Sequence, residues 1–339
     1  MILADCVRQF FEQYLPRIKG ASPRTIDSYR HALSLFLKFT SGYLEKPVKE
    51  LGAEQLTFDV IYAFLNHLEG DRNNSARTRN IRLAAIKSLA RMIRLLYPEH
   101  RKIADMILAV PRKRYQKPLM GFLSHEEVLK VFAAVDLKKK DGFRDYTLLH
   151  LLYDTGARAS EAAALKLTDF DPGKRTLAIL GKGNRYRLVA LWPRTTQLLS
   201  RYIKRYRPAP APLHKEALFV NQRRQGMTRH GIYRICRAYL EKSIDPKQLR
   251  YINPAHGFRH SCAVNMLLSG SSLTEIKNHL GHEKLESTMV YLHLNLQKKR
   301  EIQKRFIEYT RASISDDPVL NDFLDWQNKE EILRWLDTL

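Results

Sequence analysis

Nowhere in the 339 residues is there an uncharged apolar run near the roughly 18 that a bilayer span needs, which excludes a transmembrane role. The N-terminus, MILADCVRQFFEQYL, lacks the basic start and small-residue cleavage site of a signal peptide. A soluble protein of the cytoplasm is expected, with no membrane partner. Cysteine is scarce. Cys6, Cys236 and Cys262 are three, widely spaced and odd in number, which suits a reducing compartment and neither a disulfide framework nor a zinc module. Acid is scarce as well: 35 Asp and Glu stand against 58 Lys and Arg, a net charge of +23. Such an imbalance points to a polyanionic partner.

What is present is enough for two cores. Apolar residues make up 44% of the chain, and the length suits about two domains of roughly 150 residues each, so intrinsic disorder is excluded. The charge is unevenly spread. Residues 313–339 hold seven acids against Lys329 and Arg334, so the +23 total becomes +28 over residues 1–312. A membrane surface or an acidic protein could also attract that body. The apolar faces read as core stripes, however, and no isolated basic amphipathic helix stands out, which favours nucleic acid.

The first hundred residues read as helices. Ser22-Pro23 opens one of about four turns carrying Tyr29, Leu33, Phe36 and Leu37. A second runs from near Leu56 to Gly70, and a third follows Ser75 with Ile81, Ala84, Ile86, Leu89, Ile93 and Leu96 on one side. Arg77, Arg79, Arg82, Lys87, Arg91 and Arg94 lie on or beside that third helix, with no acid between Arg72 and Pro98. A merely solvated charged face would mix signs, so a phosphate-contacting face is expected. Pro111 to Pro118 brackets Arg112, Lys113, Arg114 and Lys117 and reads as a basic linker over 111–119. Ser124-His125-Glu126-Glu127 is a capping box that opens a second domain over 120–312. Within it, 177–180 and 186–191 form a β-hairpin around Gly181-Lys182-Gly183-Asn184.

Five features of this second domain carry chemistry. Thr155-Gly156-Ala157-Arg158 puts an arginine after a glycine turn, with Glu161 three residues on; alone, this could be a surface ion pair. Lys182 sits at the hairpin tip, where an exposed turn lysine is the plain alternative. His256-Gly257-Phe258-Arg259-His260 puts His256 and Arg259 one helical turn apart, within reach of one phosphate. Leu280-Gly281-His282 ends a helix. Tyr291 follows His282 by nine residues, in a place where a core tyrosine would be unremarked.

In order, these motifs resemble the tyrosine recombinase (phage integrase) family over about 120–310, and the helical residues 1–110 are similar to its SAM-like core-binding domain. The resemblance implies a mainly α fold with a small β-sheet (α+β). It implies a site-specific recombinase that integrates, excises or resolves DNA through a 3′-phosphotyrosine at Tyr291. Arg158 and Arg259 would clamp the nonbridging phosphate oxygens with permanently charged forks. His256 would serve as general acid/base for a phenol too weakly acidic to attack unaided. Lys182 would protonate the leaving 5′ oxygen, His282 would hydrogen-bond the phosphate, and Glu161 and His260 would support the site from behind. Neither ATP nor metal is required by such a scheme, so no cofactor is expected. Ser287, where the family often has threonine, and the long acidic tail over 313–339 are departures.

Three other readings exist. A type IB topoisomerase would share the site, and a non-catalytic DNA-binding protein would share the charge. A metallohydrolase on His256, His260 and His282 has no HExxH or acidic ligand cluster behind it. The expected partners are duplex DNA carrying an inverted-repeat site and three further copies in a tetramer, in a nucleoid-associated cytoplasmic setting. Phosphate contacts are expected from Arg77, Arg79, Arg82, Lys87, Arg112, Lys113, Arg114 and Lys117.

Overall fold

A computed structural model describes residues 3–116, 121–181, 183–285, 287–289 and 291. The chain divides into two compact units, Met1–Lys117 and Pro118–Leu339. Lys117, Lys182 and the tail over 313–339 lie outside the described residues.

The first unit is helical because its apolar residues recur at helical spacing behind strong local start signals. α1 (Leu3–Gln9) continues as a π-helix over Phe10–Ile18. α2 (Pro23–Tyr43) starts where Ser22 Oγ accepts from Thr25 N, with Pro23 in its first turn. It has 21 residues, nearly six turns rather than four, since Thr40 stays buried beyond the apolar stripe read from sequence. Thr57 caps α3 (Phe58–Glu69), which stops at Gly70. Ser75 caps α4 (Ala76–Leu96), and α5 (Arg101–Ala109) packs on it. Phe36 meets Phe64 edge to face at 5.0 Å, and Leu83, Ile86, Leu89 and Ile93 fill the centre. Ile81 is 48% exposed and Leu96 is also exposed, so these two do not belong to the core stripe of α4.

The second unit opens with α6 (His125–Ala133), on the expected Ser124–Glu127 capping box. α7 (Lys140–Thr155) is its buried spine. Leu148, Leu149, Leu151 and Leu152 are fully covered, and α7 packs against α9 (Pro193–Arg201) and α12 (Pro254–Leu268). α8 (Ala159–Ala164) follows a glycine turn. Next comes an antiparallel sheet of β1 (Phe170–Asp171), β2 (Thr176–Leu180) and β3 (Tyr186–Ala190), in that spatial order. β1, at two residues, is too short for its sequence to show alternation. Leu177, Ile179 and Val189 face the core, while Tyr186 and Leu188 face out. α10 (Arg229–Ser243), the short α11 (Pro246–Leu249) and α13 (Leu273–Leu280) complete the unit. Cys6, Cys236 and Cys262 are buried and form no disulfide. Among the described residues, no helix is long and apolar enough to cross a membrane.

Candidate active site

Local sequence sets the first arginine. α7 ends at Thr155, and Gly156 reverses the chain in the left-handed region at φ +58°, where a Cβ would come within 2.3 Å of the Leu280 side chain. Only glycine meets both demands. Arg158 then caps α8, and Glu161 at the third helical position accepts from Arg158 N at 3.0 Å and from its Nη1 at 2.5 Å. The Arg158–Glu161 spacing thus lets one carboxylate accept from both the backbone and the side chain of Arg158. Glu161 is buried, which pushes its pKa up, but Arg187 and Arg158 together push it further down, so its carboxylate stays below the usual range.

The second arginine comes from α12. Arg259 is 2% exposed, and its Nη1 and Nη2 donate to the carbonyls of Gly156 at 2.6 Å and Leu280 at 2.7 Å. Burial, then repulsion from Arg158, lowers its pKa to about 10, which leaves it charged at neutral pH. Two N–H groups are spent on those carbonyls, leaving three of the guanidinium's five for an anion. At the Leu280 end, Gly281 ends α13 in the left-handed region at φ +65°. His282 follows, its Nδ1 2.8 Å from the buried Thr288 hydroxyl.

Tyr291 is 1% exposed. Its hydroxyl lies 3.0 Å from His260 Nδ1, and its ring stacks near-parallel to His282 at 6.3 Å between centroids. The histidine on the phenol is therefore His260, one turn beyond the His256 expected in the general-base role; the His256 and His260 rings are 6.1 Å apart. Burial drives Tyr291 up to about 12, although Arg259 opposes it. Burial, then the charges around them, drives His260 and His282 down to about 4 and lowers His256 as well. All three shifts are downward because each ring is desolvated and lies near Arg259.

Arg158, Glu161, His256, Arg259, His260, His282 and Tyr291 thus gather at one place. Lys182 lies outside the described residues. Four groups that sequence reasoning missed complete the frame. Arg187 on β3 pairs with Glu161 Oε2 at 2.8 Å and donates from Nε to the His279 carbonyl at 3.1 Å. Thr288 holds His282. His279 Nε2 donates to the Asp154 carbonyl at 2.8 Å, and an Asp154 carboxylate oxygen accepts from Trp192 N at 2.8 Å. The alternation of β3, with Tyr186 and Leu188 outward, was the one signal that Arg187 points inward. A nearby cleft of about 860 Å³, lined by Tyr153, Asp154, Trp192, Cys262 and His279, contains none of Arg158, His256, Arg259 or Tyr291. Among the described residues, no three His, Cys, Asp or Glu are arranged to hold a metal.

The basic face of the first unit is less uniform than its sequence. Arg77, Arg112, Lys113 and Arg114 are exposed, and Lys113 pairs with Glu69 at 2.9 Å. Arg79 is buried and paired with Glu69 at 3.2 Å, which removes it from the phosphate-contacting set. The acid it needs comes from the preceding helix. Arg82 and Lys87 are half-buried, Lys87 Nζ donating to the Leu108 carbonyl at 2.6 Å.

Comparison with known proteins finds matching sequence over both units. The model of the phage integrase family matches residues 121–298, and that of the phage integrase N-terminal SAM-like domain matches residues 8–94. The chain is 32% identical to tyrosine recombinase XerC of Pelotomaculum thermopropionicum over 87% of this chain and 95% of that one. With tyrosine recombinase XerD of Staphylococcus epidermidis it shares 31% identity over 88% and 97%. In fold it is similar to the XerH site-specific recombinase bound to palindromic difH substrate, with a TM-score of 0.66 and 23% identity over 89% of this chain and 87% of that one. The Tn1549 transposon integrase in complex with transposon right end DNA gives a TM-score of 0.66 at 16% identity, over 90% and 99%.

Proposed function

Because this chain belongs to the phage integrase family and is a site-specific tyrosine recombinase, we propose that Tyr291 is the nucleophile that attacks a DNA phosphodiester, with Arg158 and Arg259 as the phosphate clamp. The observation that carries this reading is the Tyr291 hydroxyl lying 3.0 Å from His260 while feeling the positive charges of both Arg259 and Arg158. A phenol, a proton acceptor and two cations at one point are what in-line phosphoryl transfer needs.

The step balances as follows. The phenolic oxygen forms a bond to phosphorus and the bond from phosphorus to the 5′ oxygen breaks. The phenol's proton passes to the histidine pair, His260 touching the hydroxyl and His256 beyond it, and Lys182 gives a proton to the departing 5′ oxygen. The product is a 3′-phosphotyrosine and a free 5′ hydroxyl, so bond energy is kept and an incoming 5′ hydroxyl reverses the reaction. Arg158 and Arg259 hold the nonbridging oxygens, His282 donates to the phosphate, and Glu161 and His260 keep the groups in register. The scheme calls on no cofactor, since fixed side-chain charge meets the charge that develops at phosphorus.

A core-binding domain over residues 1–110, with the basic linker at 111–119, would bind the duplex backbone through Arg77, Arg82, Lys87, Arg112, Lys113, Arg114 and Lys117. The exposed Lys113–Glu69 pair is weak enough to be exchanged for a phosphate. The substrate is duplex DNA with an inverted-repeat site, acted on by four copies on two duplexes, with residues 120–312 as the catalytic domain. Incubation with a nicked cognate site tests the reading: a protease-sensitive adduct on the 3′ side is expected, and Tyr291→Phe loses it while still binding. A full-yield adduct from the Phe variant would refute it.

A further inference from the structure

Arg187 is a largely covered cation to which the scheme above gives no role. It sits on β3 in register with Ile179, its side chain only 11% exposed. A charge on the inner side of a strand is costly unless it is paired and hydrogen-bonded. Arg187 is held on two sides. Nη2 reaches Glu161 Oε2 at 2.8 Å, on the same carboxylate that binds Arg158, and Nε reaches the His279 carbonyl at 3.1 Å. That carbonyl belongs to the last turn of α13, where the helix presents its negative end. A third contact is steric: a Cβ on Gly281 would come within 2.9 Å of Arg187 Cδ, so the arginine stem fills the space beside the residue that precedes His282.

We infer that Arg187 is a positioning residue that fixes the Arg158–Glu161 pair to the Gly281–His282 turn, so that the arginine and imidazole sides of the phosphate pocket keep one spacing. One rigid fork spans both sides and leaves from β3. Its Nε and Nη2 donate to the His279 carbonyl and to Glu161, so it acts on the reaction through Glu161 and the α13 terminus. A lysine could not do this, since an ammonium is a single point charge on a flexible stem.

This inference rests on the function proposed above, and the test separates the two. Single-turnover cleavage of a nicked site and equilibrium DNA binding are measured on the full chain for wild type, Arg187→Lys and Arg187→Met. Both variants should bind within a few-fold of wild type and cleave about 10²-fold more slowly, the scale that a misplacement of about 1 Å costs. Combined with His282→Ala, Arg187→Met should add little to the single His282→Ala defect, since its effect passes through that turn; independent effects would multiply. Wild-type cleavage by Arg187→Met, multiplicative losses, or a cleavage defect no larger than the binding defect would each overturn the inference. So would failure of both variants to fold, which would mark a purely structural arginine. Absence of a covalent adduct from wild type itself would instead overturn the function.

Discussion

His260 Nδ1 lies 3.0 Å from the Tyr291 hydroxyl, and the two groups are tuned apart rather than together. Burial pushes the phenol up to about 12 and the imidazole down to about 4, so at neutral pH the proton between them rests on the phenol oxygen. Arg259 and Arg158 oppose the rise at Tyr291 and deepen the fall at His282. An anionic phosphate between those arginines would offset their effect on the histidines, making imidazole a better proton acceptor when substrate is in place.

The same shifts predict how stability depends on pH. His260 and His282 have folded values near 4, below the ordinary 6.5, so the unfolded chain binds their protons first as pH falls. Stability from their neutral burial is complete above about pH 6.5 and is lost between there and pH 4. Tyr291, raised from 10 to about 12, works in the opposite sense: its contribution is present below pH 10 and lost above it. Thermal unfolding monitored from pH 7 to 5 should show a falling midpoint, and His260→Asn should flatten the fall. A midpoint constant across that range would contradict the burial of these rings.

The helix starts were legible because they are local. Ser22, Thr57, Ser75 and Ser124 each accept a hydrogen bond from a backbone N–H three residues ahead, and such spacing is visible in any window of sequence. The order of Arg158, His256, Arg259, His282 and Tyr291 was legible as well. Their partners were not. Arg187 meets His279 across 92 residues and His260 meets Tyr291 across 31, contacts made only when β3 and α12 pack against the α13 end of the unit. Arg79 misled for the same reason, since Glu69 lies outside the acid-free window that made it look like a phosphate contact.

If Arg158 and Arg259 supply the positive charge at phosphorus as proposed, cleavage is expected to continue at its normal rate in excess chelator. The check is adduct formation on a nicked site with and without chelator. A rate that collapses and returns on adding zinc or magnesium would give the histidines a metal-binding role instead.

Lys182 is separated from a passive turn residue by its leaving group. Lys182→Ala should cleave a normal site at least about 10²-fold more slowly, the ordinary scale of general acid catalysis. On a substrate with sulfur in place of the 5′-bridging oxygen, which leaves without a proton, the rate should recover. Equal defects on both substrates would assign the acid to another residue.

The acidic tail over 313–339 yields the last prediction from its composition alone. It carries a balance of −5 beside a body of +28, and Val319, Leu320, Phe323, Leu324, Trp326, Ile332, Leu333, Trp335 and Leu336 give it more apolar surface than a free acidic segment would keep in water. Docking on its own catalytic domain would cover the basic face or restrain Tyr291, and docking on a neighbouring copy would join subunits. The tetramer proposed above favours the second arrangement, since head-to-tail exchange would close a ring of like subunits. Truncation after Ala312 should then leave binding to a single site intact while synapsis and recombination, followed by gel shift and product formation, fall together. Tighter binding or faster cleavage by the truncated chain would show instead that the tail restrains its own subunit, and unchanged behaviour in every assay would remove both roles.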